Sequence, residues 1–228
     1  MSTRTQRPIP LGLTVLIALF SALVALAFAG GHDAAAHNNA SPASPAAITP
    51  KELALRQDMR KLWEDHITWT RLAVISLTTD SPDATATVGR LLQNQTDIGN
   101  AIKPFYGKAA GTKLTQLLRE HILVAADLIA AAKTGDQEAV GAQQARWQAN
   151  ADQIAAFLSS ANPRSWKQSE MRTMMRSHLR LTTDEVVARL TKNWTADVRS
   201  YDRIHVQILR MADMLSDGLV AQFPARFR

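Results

Sequence analysis

The stretch LTQLLREHILVAADL, residues 114–128, indicates the fold class, because its apolar residues recur at spacings of three and four. Such spacing places them on one face of an α-helix. The stripe consists of Leu114, Leu117, His121, Val124 and Leu128. Similar stripes continue from residue 49 to the C-terminus, and the apolar period is helical and not alternating. The sequence therefore predicts an all-α protein.

Turn-forming residues divide this helical part into six segments of roughly 25–30 residues each, about twice the mean helix length. The breaks lie at Asp80-Ser81-Pro82, Tyr106-Gly107, Thr134-Gly135-Asp136, Asn162-Pro163 and Asn193. Long helices with short connections become antiparallel neighbours. We therefore predict an up-and-down antiparallel bundle of four to six long helices, forming a single domain over residues 49–228.

Local signals refine this prediction at two places. Thr49 and Glu52 have the spacing of a capping box around Pro50, so the first helix is expected to begin there. The run Asn94-Gln95-Thr96-Asp97 resembles a helix stop followed by a new N-cap, so the second segment is expected to be one helix or two short ones. The strings 66–70 and 178–182 resemble each other, either through a duplicated helical hairpin or because amphipathic helices are generally alike.

The N-terminal sequence has the pattern of an export signal. Arg4 and Arg7 precede an apolar run over residues 11–28, and Ala27-Phe28-Ala29 is a small-residue cleavage site. Residues 1–29 are therefore interpreted as a signal peptide or an uncleaved membrane anchor, and the rest as periplasmic or extracellular. Residues 30–48, rich in Ala, Ser and Pro, are predicted to be a disordered linker.

The linker contains a conditional metal motif. Cleavage after Ala29 would leave Gly30-Gly31-His32 at the new N-terminus, where an amine, two amides and an imidazole can surround Cu(II) or Ni(II) in a plane. The alternative is a flexible linker that happens to contain His32 and His37.

Composition excludes several classes of function. The 228 residues include no cysteine, which rules out disulfide scaffolds, thiol nucleophiles and Cys-ligated zinc or iron–sulfur centres. The motifs G-x-S-x-G, H-E-x-x-H, G-x-G-x-x-G and the P-loop are absent. Nothing in the sequence therefore points to an enzyme. The net charge of +6 comes without aromatic residues among the basic ones, and we predict no nucleic-acid partner.

Four histidines fall on the apolar stripes of the first, third, fifth and sixth segments. They are His66, His121, His178 and His205. Each lies near the middle of its segment, and at 1.5 Å per residue their heights differ by at most about 5 Å. We therefore expect four imidazoles in one buried layer at mid-height.

Such a layer predicts a transition-metal site, because one ion satisfies several buried imidazoles at once. Imidazole suits Cu, Ni, Zn or Fe, and non-covalent haem is also open; the function would be storage, delivery or sensing. Thioethers on the fifth and sixth segments, if not simply core filling, favour copper. These methionines are Met171, Met174, Met175, Met211 and Met214. The alternative is a ligand-free polar layer in a structural or protein-interaction module of the cell envelope.

Two further groups of charged residues are candidates for binding. Near the layer, the carboxylates Asp127, Asp184, Glu185 and Asp202 are candidates to orient the histidines, and the alternative for each is a surface or interface charge. Arg172, Arg176 and Arg180 form a basic row at helical spacing, which either contacts an anionic surface or acidic partner or is a solvated face. The sequence leaves the oligomeric state open.

Three strings carry a resemblance to known sequences. They are Trp63–Arg71 (WEDHITWTR), Asp97–Gly107 (DIGNAIKPFYG) and Met211–Leu215 (MADML). Over residues 58–224 the chain resembles a loosely defined family of exported bacterial helical proteins, sometimes labelled glycosyltransferase. The resemblance implies a helical fold and export. It does not imply glycosyl transfer, because enzymes that use sugar donors need α/β sheets or other folds that this sequence does not encode.

Overall fold

Five α-helices make up residues 47–228, the part of the chain that this computed structural model describes. They are α1 (Pro50–Thr79), α2 (Ala84–Thr134), α3 (Gln137–Ala161), α4 (Gln168–Leu190) and α5 (Trp194–Gln222), and a short 3-10 helix follows at Pro224–Arg226. Residues 47–228 contain no strand. The predicted all-α class is confirmed.

The long helix α2 reverses direction at Gly107. This glycine has φ 84° and ψ 170°, in the left-handed region that glycine tolerates best. A Cβ atom built on Gly99 would lie 1.9 Å from the Thr115 hydroxyl oxygen, whereas residues 99 and 115 of a straight helix would be about 24 Å apart. Therefore α2 consists of two antiparallel arms, residues 84–106 and 108–134. The six predicted segments correspond to six helical rods.

The rods form a closed ring in which each packs against the next. α1 contacts α2 and α5, and α3 packs between α2 and α4. This is the antiparallel bundle that the short connections predict. Three consecutive hairpins follow along the chain: hairpin A is α1 with the first arm of α2, hairpin B is the second arm with α3, and hairpin C is α4 with α5.

The predicted start of the bundle is confirmed, and of the two alternatives for the second segment the structure shows one continuous helix. Thr49 accepts a hydrogen bond from the Glu52 amide while Glu52 reaches back to Thr49, which forms the capping box. The first arm of α2 continues through Asn94 and Gln95, which are buried. Their amides have partners in the neighbouring rod, so they do not have to cap a helix end.

The predictions for residues 1–29 and for nearly all of 30–48, including His32 and His37, lie outside the described residues. Within residues 47–228, none of the helices has both the length and the apolar character that a bilayer crossing requires.

Candidate metal centre

Three of the four predicted histidines meet in the centre of the bundle. His66 on α1, His121 on the second arm of α2 and His178 on α4 are at most 5% exposed. The ring centroids of His66 and His178 are 6.0 Å apart, and those of His121 and His178 are 6.4 Å apart. Each of these histidines lies on the first rod of its hairpin, so each hairpin provides one imidazole to the layer.

His205 lies outside this layer, so the prediction that its imidazole is buried together with the other three is wrong. Its side chain is 38% exposed, and its Nε2 atom lies 3.0 Å from a carboxylate oxygen of Glu64. The inward face of α5 is defined by Ile204, Ile208 and Leu215, and consecutive helical residues point about 100° apart. His205 follows Ile204 directly and therefore lies beside the core.

An amide side chain from the second rod of each hairpin fixes each histidine ring. Nδ1 of His121 lies 2.8 Å from Oδ1 of Asn150, and Nδ1 of His178 lies 3.1 Å from Oε1 of Gln207. An amide oxygen only accepts, so both Nδ1 atoms carry their proton, and Nε2 of both rings keeps its lone pair. This is the arrangement in which a histidine is ready to bind a metal through Nε2.

The amide nitrogens of the same side chains donate to the backbone of the facing rod. Asn150 donates to the Leu117 carbonyl at 3.0 Å, and Gln207 donates to the Met174 carbonyl at 3.4 Å. Leu117 and Met174 both precede their histidine by four residues. Because each amide is held at both ends, its oxygen and nitrogen cannot exchange places without losing both contacts.

We call such an amide, held between a histidine ring and a backbone carbonyl of the facing rod, a clamp. Hairpin A repeats the clamp with two amides in place of one. Asn94 donates to the Leu62 carbonyl at 3.0 Å, and Leu62 again precedes its histidine by four residues. Nε2 of the adjacent Gln95 lies 3.1 Å from Nδ1 of His66. An amide N–H donates, so a hydrogen bond in this contact has Nδ1 of His66 as its acceptor and the ring proton on Nε2; the two hydrogens of the same amide also face the Leu91 carbonyl and Oδ1 of Asn94. Metal binding at His66 thus requires the other tautomer.

The core around the histidine layer repeats with approximate threefold symmetry. Three residues before each histidine are Trp63, Leu118 and Met175, and these line a cavity of about 30 Å³ on one side of the layer. Four residues after each histidine are Thr70, Ala125 and Thr182, and these line a cavity of about 50 Å³ on the other side. All three histidines border both cavities. The three rings therefore surround one axis between two small apolar spaces.

Burial keeps the three rings neutral. It lowers the pKa of His66 to about 3, helped by repulsion from His178 and His121, and it lowers the pKa of His121 to about 3, helped by repulsion from His178. Burial also lowers the pKa of His178, although the hydrogen bond with Gln207 opposes this shift. At neutral pH the layer therefore consists of three uncharged imidazoles.

The ring of His178 stands slightly too far from those of His66 and His121 for the layer to coordinate an ion without movement. A trigonal ion held by three Nε2 atoms at about 2.1 Å would bring the ring centroids to about 5.5 Å from one another. The two measured separations exceed this by less than about 1 Å. In residues 47–228, no three His, Asp or Glu side chains as placed form a group that could hold a metal ion. Coordination thus requires the rings to move inward.

Amides and thioethers surround the site in place of the expected carboxylates. Neither cavity is bordered by an Asp or Glu residue. Met59, Met175 and Met211 border the smaller cavity together with the three histidines. Of the predicted orienting carboxylates, Glu185 instead accepts from Arg71 at 2.5 Å, and Asp184 contacts Arg180 at 3.3 Å. The residues that the sequence analysis missed are therefore Asn94, Gln95, Asn150 and Gln207.

A buried cluster of ion pairs joins α1, α4 and α5 beyond the histidine layer; its Arg71 and Glu185 follow His66 and His178 by five and seven residues. Arg71 on α1 lies 2.5 Å from Glu185 on α4 and 2.8 Å from Asp197 on α5, and Arg189 lies 3.2 Å from Asp197. Burial raises the pKa of Glu185 to about 7 against the opposing effect of Arg71. Burial would also raise the pKa of Asp197, but hydrogen bonds from Arg71 and Arg189 outweigh it and lower that pKa.

The predicted basic row lies on the surface of α4 and is partly neutralised. Arg172 and Arg176 contact the two carboxylate oxygens of Asp152 at 3.3 and 3.2 Å, and Arg180 contacts Asp184. An anionic surface or acidic partner for this row stays a prediction.

Comparison with known proteins gives no further guide to the site: no family model matches the chain, and no curated protein or solved structure is similar to it. The resemblance to exported helical proteins therefore stays a prediction.

Proposed function

We propose that this protein binds one transition-metal ion at the histidine layer, and that the ion is Cu(I). The proposal rests on one observation: three imidazoles, one from each hairpin, surround a common axis, and an amide of the following rod contacts Nδ1 of each. Three nitrogens around one axis are a trigonal ligand set.

The charge and softness of the surroundings favour Cu(I) over the other candidate ions. A buried ion needs compensation for its charge, and no carboxylate borders either cavity. A monovalent ion is therefore less costly there than Zn(II), Ni(II) or Fe(II). Thioethers select soft ions such as Cu(I), and Met59, Met175 and Met211 border the smaller cavity.

The size of the cavities confines the proposal to a single ion. Volumes of about 30 and 50 Å³ hold a few water molecules and are far too small for a porphyrin. The enclosed position also favours storage or delivery of the ion over catalysis, because a substrate would have no space beside it. Together with the predicted export signal, this points to copper handling in the cell envelope.

Competition with a coloured Cu(I) chelator in the absence of oxygen tests the proposal. The full chain is used with His32 and His37 replaced by Ala, so that only the folded part contributes imidazoles. We expect one equivalent of Cu(I) to bind, and we expect His121→Asn and His178→Asn to lose it. Asn can keep the hydrogen bond made by Nδ1 but supplies no atom at the position of Nε2.

His205→Asn is the matched control and should bind as the parent does, because His205 lies outside the layer. Circular dichroism and urea unfolding verify that the variants fold. A parent protein that takes up no Cu(I), or equal binding by all of these variants, would show that the layer is a ligand-free structural feature. A Zn(II) titration in parallel separates the two ions, and tighter Zn(II) binding would overturn the choice of copper.

A further inference from the structure

Hairpin C departs from the approximate threefold symmetry of the core, because its clamp is the one that can be reached from the surface. Its clamp is Gln207, where hairpin B uses Asn150 and hairpin A uses Asn94 and Gln95. Asn94, Gln95 and Asn150 are at most 2% exposed, whereas Gln207 is only partly buried. The ring of His178 is therefore the one whose clamp is accessible from the surface.

An open groove of about 900 Å³ runs over this clamp between α4 and α5. Gln207 lines the groove, and the same side chain contacts His178 and the backbone of Met174. One side chain thus both lines the groove and contacts a ring of the histidine layer.

Methionines lie on both sides of that separation. Met174 and Met214 line the groove, and Met175 and Met211 border the inner cavity beside His178. The corresponding positions of hairpins A and B hold no methionine: Leu62 and Leu117 correspond to Met174, and Ile98 and Ile154 correspond to Met211. Thioethers are therefore concentrated in the one hairpin with an accessible clamp.

We infer that the groove between α4 and α5 is the entrance for the ion, and that Met174 and Met214 form an outer thioether site from which it passes Gln207 to the histidine layer. This inference rests on the proposed function. Cu(I) is transferred by exchange of ligands, and a flexible unbranched thioether is a neutral, soft ligand that can release the ion to the next one. Gln207 acts as a positioning residue. Rotation of its side chain opens the path from the groove to the layer, and His178 on the inner side then binds the ion.

Two pairs of variants test the entrance through the rate of Cu(I) transfer from the coloured chelator, followed by stopped-flow. Val206→Trp fills the groove, and Val198→Trp is its control; Val206 and Val198 are 51% and 52% exposed on α5, but only Val206 lines the groove. The double change Met174→Leu with Met214→Leu removes the outer thioethers. Its control is Met171→Leu on the same helix, a buried residue that borders neither the groove nor the cavities.

We expect Val206→Trp and the double leucine variant to load about tenfold more slowly, which corresponds to about 1.4 kcal/mol in the barrier. The affinity at equilibrium and the stoichiometry should stay those of the parent, and both controls should load at the parental rate. Loading at the parental rate by both test variants, with normal binding at equilibrium, would overturn the entrance and leave the metal site intact. Absence of binding in the parent itself would overturn the proposed function.

Discussion

Nδ1 of His121 lies 2.8 Å from Oδ1 of Asn150, a residue that follows it by 29 positions on the next rod of the bundle. The same separation of 29 residues joins His66 to Gln95 and His178 to Gln207. One hairpin geometry thus occurs three times, and each copy presents an imidazole to the axis of the bundle. The clamps also tie neighbouring rods together, because Asn150, Gln207 and, in hairpin A, Asn94 donate to backbone carbonyls of the facing rod.

Replacement of Asn150 by Leu should therefore destabilise the protein. It leaves Nδ1 of His121 and the carbonyl of Leu117 without partners in the core, and we expect a loss of about 2 kcal/mol or more in the free energy of unfolding. Urea unfolding measures it. Gln148→Leu, an exposed position of the same helix, is the control and should change stability little. A loss no larger than in this control would mean that the clamp adds nothing to stability.

The histidine layer was predictable from the sequence because local spacing determines which residues face the core. The stripes of α1, of the second arm of α2 and of α4 are unambiguous, and the regular breaks give the heights. On α5 two stripes compete. The sequence favours Val198 and Tyr201, whereas the structure buries Asp197 and Ser200 and leaves Val198 exposed. This shifts His205 away from the axis.

The clamps and the face of α5 were not predictable because both depend on pairing between distant rods. Asp197 is buried because Arg71 and Arg189 neutralise its charge in the core. The local sequence pattern around Asp197 does not predict either of these ion pairs. Asn94 and Gln95 have the composition of a helix stop, and their role follows only once hairpin A has brought them opposite His66. The repeated separation of 29 residues was a usable signal, but only with the hairpins known.

The three buried rings should make the protein sensitive to acid. The pKa values of His66 and His121, lowered to about 3, mean that the unfolded chain binds protons below about pH 6.5 that these two native rings bind only near pH 3, and burial shifts the pKa of His178 in the same direction. This contribution to stability is complete above pH 6.5 and is lost as the pH falls. His121→Asn should reduce the slope of unfolding free energy against pH between 4 and 6 by about one proton, about 1.4 kcal/mol per pH unit. Urea unfolding at several pH values gives the slope, and one equal to that of the parent would contradict the account.

The contribution of Glu185 to stability should depend on pH in the opposite direction from that of the histidines. Its raised pKa of about 7 lets the native state hold a proton that the unfolded chain has released above about pH 4.5, so its contribution to stability is lost as the pH rises between these values. The free energy of unfolding of the Glu185→Gln variant, relative to that of the parent, should therefore rise from pH 4.5 to pH 7 by on the order of 3 kcal/mol. The exposed control Glu120→Gln should show no such trend. A difference independent of pH would mean that Arg71 holds Glu185 ionised throughout.

Cu(I) binding should be nearly independent of pH between 5 and 8. Protons compete with a metal for histidine nitrogen only near the pKa of the ring, and burial has lowered the pKa of His66 and His121 to about 3. The chelator competition repeated at pH 5, 6, 7 and 8 measures this, after correction for the chelator's own protonation. A tenfold loss of affinity per unit below pH 6.5 would instead indicate exposed imidazoles as the ligands.

The position of copper in crystals of the Cu(I)-loaded protein tests the central claim most directly. An anomalous difference map collected at the copper absorption edge shows where the ion lies, whatever its route of entry. We predict a single peak on the axis of the bundle, about 2.1 Å from Nε2 of His66, His121 and His178, with the ring centroids drawn closer than the present 6.0 and 6.4 Å. A peak at His205 or at the N-terminal residues, with none inside the layer, would contradict it.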